Sequence, residues 1–317
     1  MFLGRFFGRT EVRPGWLAVL VLPDRVDVAY VRRNGDARPQ VLHCDSYRKG
    51  QGDVDALKRL CKELDVKSHR CTTLLNTGDY QLLLVEAPNV PEAEMKAAMR
   101  WRIKDMLEYS AEEATVDVLN IPAASDTRNR SVYAVVARNG TIRSCMQRFE
   151  DADIPLAAID IPELAQRNIA SLFEPEGRGV ALLAFDDRDG LITFTFKGEL
   201  FASRRIEVSL KQLLAPKADA DIRQQVLERI VLELQRLLDY ADRQFSSISV
   251  AKLLVPPMPK DFPLESHLGA SLGLGVETFD LAAVADISAV PLLQQPLRQN
   301  QWFYVLGAAL RNESRPR

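Results

Sequence analysis

Four aspartates of this chain fall in two predicted turns. Asp186, Asp187 and Asp189 fall in one turn, and Asp24 falls in the other. Carboxylates are the oxygen ligands that Mg²⁺ prefers, which makes Asp24, Asp187 and Asp189 candidate metal ligands. Asp is also a common turn former, because its side chain bonds to the local backbone. Adjacent acids in a turn point in different directions, which argues against a hydrolytic pair of carboxylates, and we predict no metal site.

Other reactive side chains are few and scattered. The three histidines, His43, His69 and His267, fall on separate predicted elements, so no Ser-His-Asp or Cys-His arrangement can be assembled. Arg204 and Arg205 are interpreted as a solvated strand end rather than a phosphate clamp. None of the cysteines shows Cys-x-x-Cys spacing, and we expect reduced thiols in a cytoplasmic protein; they are Cys44, Cys61, Cys71 and Cys145. We predict no catalytic residues.

Composition excludes several classes of protein. The chain has 317 residues, 47% hydrophobic and 26% charged, as expected for an ordinary globular protein of about two domains. A net charge of −2 provides no field for a polyanion, so nucleic acid is not an expected partner. No apolar run reaches the ~18 residues of a membrane span. Residues 1–13 form a basic and aromatic arm, compatible with either a weak membrane-surface or partner-docking element or a frayed terminus.

The elements that must position these residues are repeated. Residues 17–35 align without a gap on residues 180–198, with Asp24-Arg25 on Asp187-Arg188. Each copy is an apolar run, a polar break and a second apolar run, followed by a Gly turn and a third run. The repetition predicts two domains of one kind, with three antiparallel strands at 17–46 and again at 180–206.

The rest of the pattern completes two α/β units. In the first half we predict helices at 53–64, 90–109, 140–151 and 162–173, and strands at 71–75, 80–87, 115–121, 131–137 and 155–160. The strand at 80–87 is assigned to the first repeat, and about 90–152 to an inserted α+β subdomain. The first domain is 14–174 and the second 175–317. The second contains helices at 220–245, 263–272 and 301–311, the last closing the chain, and strands at 250–255 and 275–279.

This duplicated order resembles the actin, Hsp70 and sugar-kinase superfamily, which implies an actin-like (ribonuclease H-like) fold. Within it, the chain resembles the PilM-type proteins of type IV pilus assembly, and among these the branch that serves the mannose-sensitive haemagglutinin (MSHA) pilus. The matching phrases occur in order along the whole chain, at 1–7, 85–91, 98–105, 132–138 and 306–311.

The resemblance also indicates where nucleotide chemistry would require specific residues. The superfamily binds ATP and Mg²⁺ between its halves, using an Asp and a Gly in each of two hairpin turns and a Gly-Gly pair in the second half. The corresponding positions here carry other residues: Leu20 (or Val21), Leu22, Ala184, Asp186, Pro256 and Pro257. Proline offers no N–H, and Asp186 would place a negative charge where phosphate should lie. The resemblance therefore implies a chain without ordinary ATPase chemistry, in which an ATP/Mg²⁺ cofactor is disfavoured.

The expected partner also comes from the resemblance. It is the cytoplasmic tail of a PilN-like bitopic inner-membrane protein, docked in the first half of a cytoplasmic scaffold peripheral to the inner membrane. Arg100, Trp101 and Lys104 lie outside the apolar seam of the 90–109 helix and are the candidate partner-binding residues. The alternative for Trp101 is packing on neighbouring strands. Alternative functions are an ATP-binding conformational switch with an atypical site and a GspL-like component of a type II secretion system.

Overall fold

The computed structural model describes residues 13–33, 37–50, 52–122, 130–214, 220–260 and 262–312. Except for Arg13, the arm at 1–13 lies outside these residues. Among the residues described, no helix is both long enough and apolar enough to cross a membrane.

Strands and helices alternate along the chain in the order that the repeat predicts. The strands are β1 (Trp16–Val21), β2 (Arg25–Arg32), β3 (Gln40–Arg48), β4 (Arg70–Leu74), β5 (Tyr80–Glu86), β6 (Ala114–Asn120), β7 (Ser131–Arg138), β8 (Leu156–Asp160), β9 (Gly179–Phe185), β10 (Gly190–Phe196), β11 (Glu199–Ile206), β12 (Val250–Val255) and β13 (Gly275–Thr278). The helices are α1 (Asp53–Glu63), α2 (Glu92–Arg102), α3 (Asn139–Glu150), α4 (Pro162–Ala170), α5 (Leu210–Leu213), α6 (Ala220–Gln244), α7 (Leu264–Ser271), α8 (Pro296–Gln301) and α9 (Phe303–Ala309).

Two five-stranded sheets of identical topology form the two halves. The first has the order β3-β2-β1-β4-β8 and the second the order β11-β10-β9-β12-β13. In each, three antiparallel strands are followed by two that run parallel to the first, with β1 pairing β4 and β9 pairing β12. The predicted antiparallel triplets at 17–46 and 180–206 are therefore confirmed. β1, β9 and β10 are almost continuously buried, because helices cover both faces of each sheet.

A third sheet, with the order β5-β7-β6, is inserted in the first half between β4 and α3. The assignment of the strand at 80–87 to the first repeat is therefore wrong, because β5 pairs β7 along its whole length. The turn at 76–79 is a crossover into a new sheet rather than a hairpin. The three strands span 80–138, whereas the predicted insertion covers about 90–152. Phe149 of α3 is buried in the core of the first sheet, so this helix belongs structurally with that sheet.

The helix predicted over 90–109 is shorter than expected. It ends at Arg102, and a 3₁₀ turn follows at Lys104–Met106. Met99 and Ile103 are buried against the third sheet, as their spacing predicts, but Met106 is 51% exposed because the chain has left the helix before reaching it.

The C-terminal helix returns to the first half of the molecule. The helix predicted at 301–311 is present as α9, and a short helix that was not predicted, α8, precedes it and ends at Gln301. Gly307 of α9 lies against the backbone of Ala165 in α4, which is possible only because glycine has no Cβ. One apolar core contains Leu20 of β1, Leu182 of β9 and Leu306 of α9. The segment predicted to close the second domain therefore completes the core of the first.

Candidate functional site

Two equivalent hairpin turns face each other across the cleft between the halves. In the first, the N–H of Leu22 donates to the carbonyl of Arg25 over 2.9 Å, and in the second the N–H of Asp186 donates to the carbonyl of Asp189 over 2.9 Å. Both turns line one cavity of about 150 Å³, together with buried apolar side chains such as Phe185. Drug-sized ligands occupy pockets of about 300–1,000 Å³, so this cavity is smaller than the usual small-molecule site.

The residues at the positions where the superfamily pattern requires nucleotide-binding groups lie in the two turns and in the core between the halves. Leu20 and Ala184 are buried in the core shared by the halves. Asp186 accepts the N–H groups of Arg188 at 2.7 Å and Asp189 at 2.8 Å, which is the local bonding of a turn-forming Asp. Leu22 is half-buried at the mouth of the cavity. Asp186 therefore stabilises its own turn, and Leu20 and Ala184 fill the core between the halves.

The candidate metal ligands are not brought together. Asp24 pairs with Arg25 at 3.3 Å, Asp187 is exposed, and Asp189 pairs with Arg205 at 3.0 Å. In the described part of the chain, no group of three His, Cys, Asp or Glu side chains is placed to hold a metal ion.

Pro256 and Pro257 follow the end of β12 and are both buried. The carbonyl of Pro257 accepts a hydrogen bond from Nδ2 of Asn300 over 2.6 Å. Pro256 packs in a small cavity with Ala184 and Phe303. The two rings therefore fill a position where the superfamily pattern requires open backbone.

Arg205 joins the two halves beside this cleft. From β11 in the second half, its guanidinium donates to Oε1 of Glu163 at 2.9 Å and to the Tyr80 hydroxyl at 2.7 Å, both in the first half. It also donates to Thr77 and to Asp189. The Tyr80 hydroxyl in turn donates to Oε2 of Glu163. The interpretation of Arg205 as a solvated strand end is wrong, whereas its neighbour Arg204 does lie at the surface, paired with Glu233.

Burial controls the ionisation of this cluster. Burial raises the pKa of Tyr80, and the nearby Glu163 carboxylate raises it further. This phenol therefore remains a neutral donor. Burial also raises the pKa of Asp189, an effect that Arg205 opposes. Glu163 is only 4% exposed, and Arg205 is its one ion-pair partner among the described residues. The cluster is a fully bonded link between the halves.

A second polar network lines the first half of the cleft. Arg25 contacts both carboxylate oxygens of Asp27, at 3.1 and 3.2 Å, and the Ser46 hydroxyl donates to the same carboxylate over 2.6 Å. Nε1 of Trp302 donates to Ser46 over 2.8 Å. Burial raises the pKa of Asp27, and the bonds from Ser46 and Arg25 counteract that rise. Neither network could be recognised in the sequence, because Glu163 and Arg205 in the first, and Ser46 and Trp302 in the second, are distant along the chain.

The predicted partner-binding residues are exposed at the C-terminal end of α2 and in the 3₁₀ turn that follows it. Trp101 is 67% exposed, so the alternative that it packs on neighbouring strands is wrong, and Arg100 and Lys104 are exposed beside it. An ion pair between Arg102 and Glu86 at 2.6 Å places this end of α2 next to the last residue of β5. β5 is an edge strand, and its backbone pairs with β7 on one side only.

Comparisons with solved structures identify the fold. No protein-family model matches the sequence, and no curated protein matches it. The chain is similar to a solved "PilM-PilN type IV pilus biogenesis complex", with a TM-score of 0.71 and 19% identity over 94% of this chain and 98% of that one. It is also similar to the cytoplasmic domain of EpsL, an inner-membrane component of the type II secretion system of Vibrio cholerae, with a TM-score of 0.48 and 14% identity over 90% and 94% of the two chains. A Bacteroides thetaiotaomicron protein with an actin-like ATPase fold gives a TM-score of 0.46 and 12% identity over 88% and 95%. With its two sheets of identical strand order, the chain has the actin-like fold.

Proposed function

We propose that this chain is a non-catalytic cytoplasmic scaffold of a type IV pilus inner-membrane platform. In our proposal it binds the cytoplasmic tail of a PilN-like bitopic membrane protein and acts as the MshI-type, PilM-like component of an MSHA pilus. The observation that carries the proposal is the likeness to the PilM-PilN complex, which extends over nearly the full length of both chains at a TM-score of 0.71. Duplicated actin-like folds host many functions, so the site itself must support the proposal.

The cleft supports a role without nucleotide hydrolysis. Its cavity of about 150 Å³ is lined largely by apolar side chains, and Arg205 bonds the two halves together beside it. A nucleotide-driven switch would have to break these buried, charge-assisted hydrogen bonds and also supply new ligands for phosphate.

The edge of β5 and the end of α2 support peptide docking. An extended tail can add to an exposed sheet edge through main-chain hydrogen bonds, with side-chain pockets setting specificity. Trp101 precedes Arg102, the residue that pairs with Glu86 at the end of β5, and offers a large exposed apolar surface, while Arg100 and Lys104 favour an acidic or polar neighbour. Exposed tryptophan and arginine are typical anchors of protein interfaces.

The docking test compares Trp101→Ala with Met146→Ala. Met146 is a 53% exposed apolar residue on α3, which makes it a matched control for loss of exposed apolar surface. After co-purification from membranes identifies the bound protein, a synthetic peptide of its cytoplasmic tail is titrated against each variant. We expect Trp101→Ala to weaken binding by about 2 kcal/mol or more with an unchanged melting temperature, and Met146→Ala to change neither. Retained binding by Trp101→Ala would remove this residue from the interface.

Calorimetry with Mg-ATP tests the absence of nucleotide chemistry. We expect no measurable hydrolysis and at best weak binding, because Leu20, Ala184 and the Pro256-Pro257 pair stand where phosphate and adenosine need other residues. A dissociation constant in the low micromolar range or tighter, about −7 kcal/mol or better, would instead favour the ATP-binding switch.

A further inference from the structure

A second cavity lies at the opposite end of the first sheet and is lined by arginine. It has a volume of about 730 Å³ and is bordered by Arg13, Arg33, Arg38, Arg70 and Arg311, with Trp16 at its wall. We call it the arginine cavity. None of the described residues that line it is acidic. In a chain whose net charge is −2, this concentration of guanidinium groups requires an explanation.

The arginine cavity is separate from the cleft between the halves. β1 begins at Trp16, on the wall of the arginine cavity, and ends at Val21, on the wall of the cleft. A strand of that length spans roughly 17–20 Å. The two sites therefore lie at opposite ends of the same strand and share no lining residue.

Two buried donors of the wall lack acceptors. Nε1 of Trp16 and Nε of Arg33 are both shielded from water and find no hydrogen-bond partner among the residues that the structure describes. Trp16 as a whole is 91% buried, being 9% exposed. An unsatisfied buried donor is rare and costly in native proteins, and both of these border a single cavity. Both require an acceptor, as an anion would supply.

The charges around the wall are only partly compensated. Arg13 lies 3.8 Å from Asp65, Arg311 pairs with Asp160, and Arg38 donates to the backbone carbonyl of Ala282 over 2.5 Å. Asp286 is near enough to Arg38 to interact with it electrostatically.

Arg33 is the exception, since it forms no ion pair with any residue that the structure describes. Burial lowers the pKa of Arg33, and the nearby Arg167 lowers it further. Both effects disfavour the charged form of Arg33, and a bound anion would stabilise that form.

We propose that the arginine cavity binds a phosphate-bearing ligand. Guanidinium groups present fixed forks of N–H donors that match phosphate oxygens, and several arginines around one cavity suit a group with more than one negative charge. Its volume falls within the usual range for small-molecule sites, so the ligand extends beyond a single phosphate. The phosphate belongs either to a free phosphoester or to the headgroup of an anionic lipid. The inference does not rest on the proposed pilus function.

Binding by the full chain is measured with two probes. Inorganic pyrophosphate represents the free phosphoester and is titrated by calorimetry. Phosphatidylcholine vesicles with and without phosphatidylglycerol represent the lipid headgroup and are assayed by co-sedimentation. The test variant is Arg33→Gln, and the control is Arg143→Gln, which removes one exposed positive charge from α3, outside the arginine cavity.

We expect Arg33→Gln to weaken binding of one probe at least about tenfold, as for loss of a charge-assisted hydrogen bond, while Arg143→Gln binds like the wild type. Pyrophosphate binding assigns a free phosphoester, and binding only to phosphatidylglycerol vesicles assigns a lipid headgroup. The melting temperature without ligand should not fall in Arg33→Gln, because an unpaired buried cation is removed, but the ligand-induced increase should be lost.

Three results would overturn the proposal. The first is that the wild type binds neither probe, including the case where it binds only an acidic peptide such as polyglutamate. The second is that Arg33→Gln binds as tightly as the wild type. The third is that both variants lose affinity equally, which would indicate a diffuse charge effect rather than a site.

Discussion

Replacing Gly307 by alanine should destabilise the protein, although alanine normally stabilises a helix. An ideal Cβ at this position would lie 2.3 Å from the carbonyl oxygen of Ala165 and 2.7 Å from its carbonyl carbon. Backbone atoms of α4 cannot rotate away as a side chain can, so α4 and α9 would have to separate. The carbonyl of Gly307 also accepts a buried hydrogen bond from Asn168 at 2.9 Å, and separation would lengthen it.

The sizes of these opposing effects decide whether the substitution stabilises or destabilises the protein. Overpacking typically costs 1–3 kcal/mol, and weakening one buried hydrogen bond costs about 1 kcal/mol more. The gain in helix propensity from glycine to alanine is only about 1 kcal/mol. We therefore expect Gly307→Ala to lower the free energy of unfolding by about 2 kcal/mol.

Gly269→Ala is the matched control. Gly269 lies within α7, where the nearest atom to an added Cβ is Cβ of Val276 at 4.0 Å, so the same substitution meets no obstacle. It should raise the free energy of unfolding by about 0.5–1 kcal/mol. Urea unfolding followed by circular dichroism measures both variants. Shifts of the same sign, or a Gly307→Ala protein as stable as the wild type, would refute the close approach of α9 to α4.

Three further predictions concern the link between the halves and the half-buried His43. Arg205→Gln should lower the free energy of unfolding by about 2–3 kcal/mol in urea unfolding, because it leaves the Glu163 carboxylate buried without its cation; a loss below 0.5 kcal/mol would show that the pair contributes little. Gln166→Leu should lower it by about 2 kcal/mol, since the Gln166 side chain donates to carbonyls of β9 and β10 at 2.8 and 3.0 Å; an unchanged urea midpoint would contradict this. Burial lowers the pKa of His43 below its ordinary 6.5, so the unfolded chain takes up the proton more readily and stability should fall as pH drops below about 6.5. Melting temperatures measured across pH 5–8 should therefore vary less in His43→Leu, and an identical pH profile would exclude this contribution.

Much of the fold could be predicted from the sequence, because the two copies of the repeat align without a gap and so indicate equivalent strands in both halves. The alignment of 17–35 on 180–198 locates β1, β2, β9 and β10, and strand order follows once the polar breaks are recognised as turns. The placement of β5 could not be predicted, because an apolar strand after a Gly turn is the same pattern in a hairpin and in a crossover.

The candidate sites were less accessible from sequence. The degenerate positions Leu20 and Ala184 could be located because they lie within the repeat. Arg205, Glu163 and Tyr80 meet only through the fold, and no local spacing signals that they do. The arginine cavity likewise gathers residues from Arg13 to Arg311, each unremarkable in its own segment. The exposure of Trp101 required knowing which face of α2 the third sheet covers.

The return of α9 to the first half has a consequence for biosynthesis. Residues of β1 and β2 that belong to the shared core stay uncovered until α9 has left the ribosome, after the whole second half has been made. About 130 residues separate the end of the first half from α9, and at ordinary elongation rates their synthesis takes on the order of ten seconds. During that interval the nascent first half displays an apolar face with no native partner. The chain is therefore expected to engage chaperones co-translationally, and its first half completes its fold only after the second half has been made, rather than domain by domain.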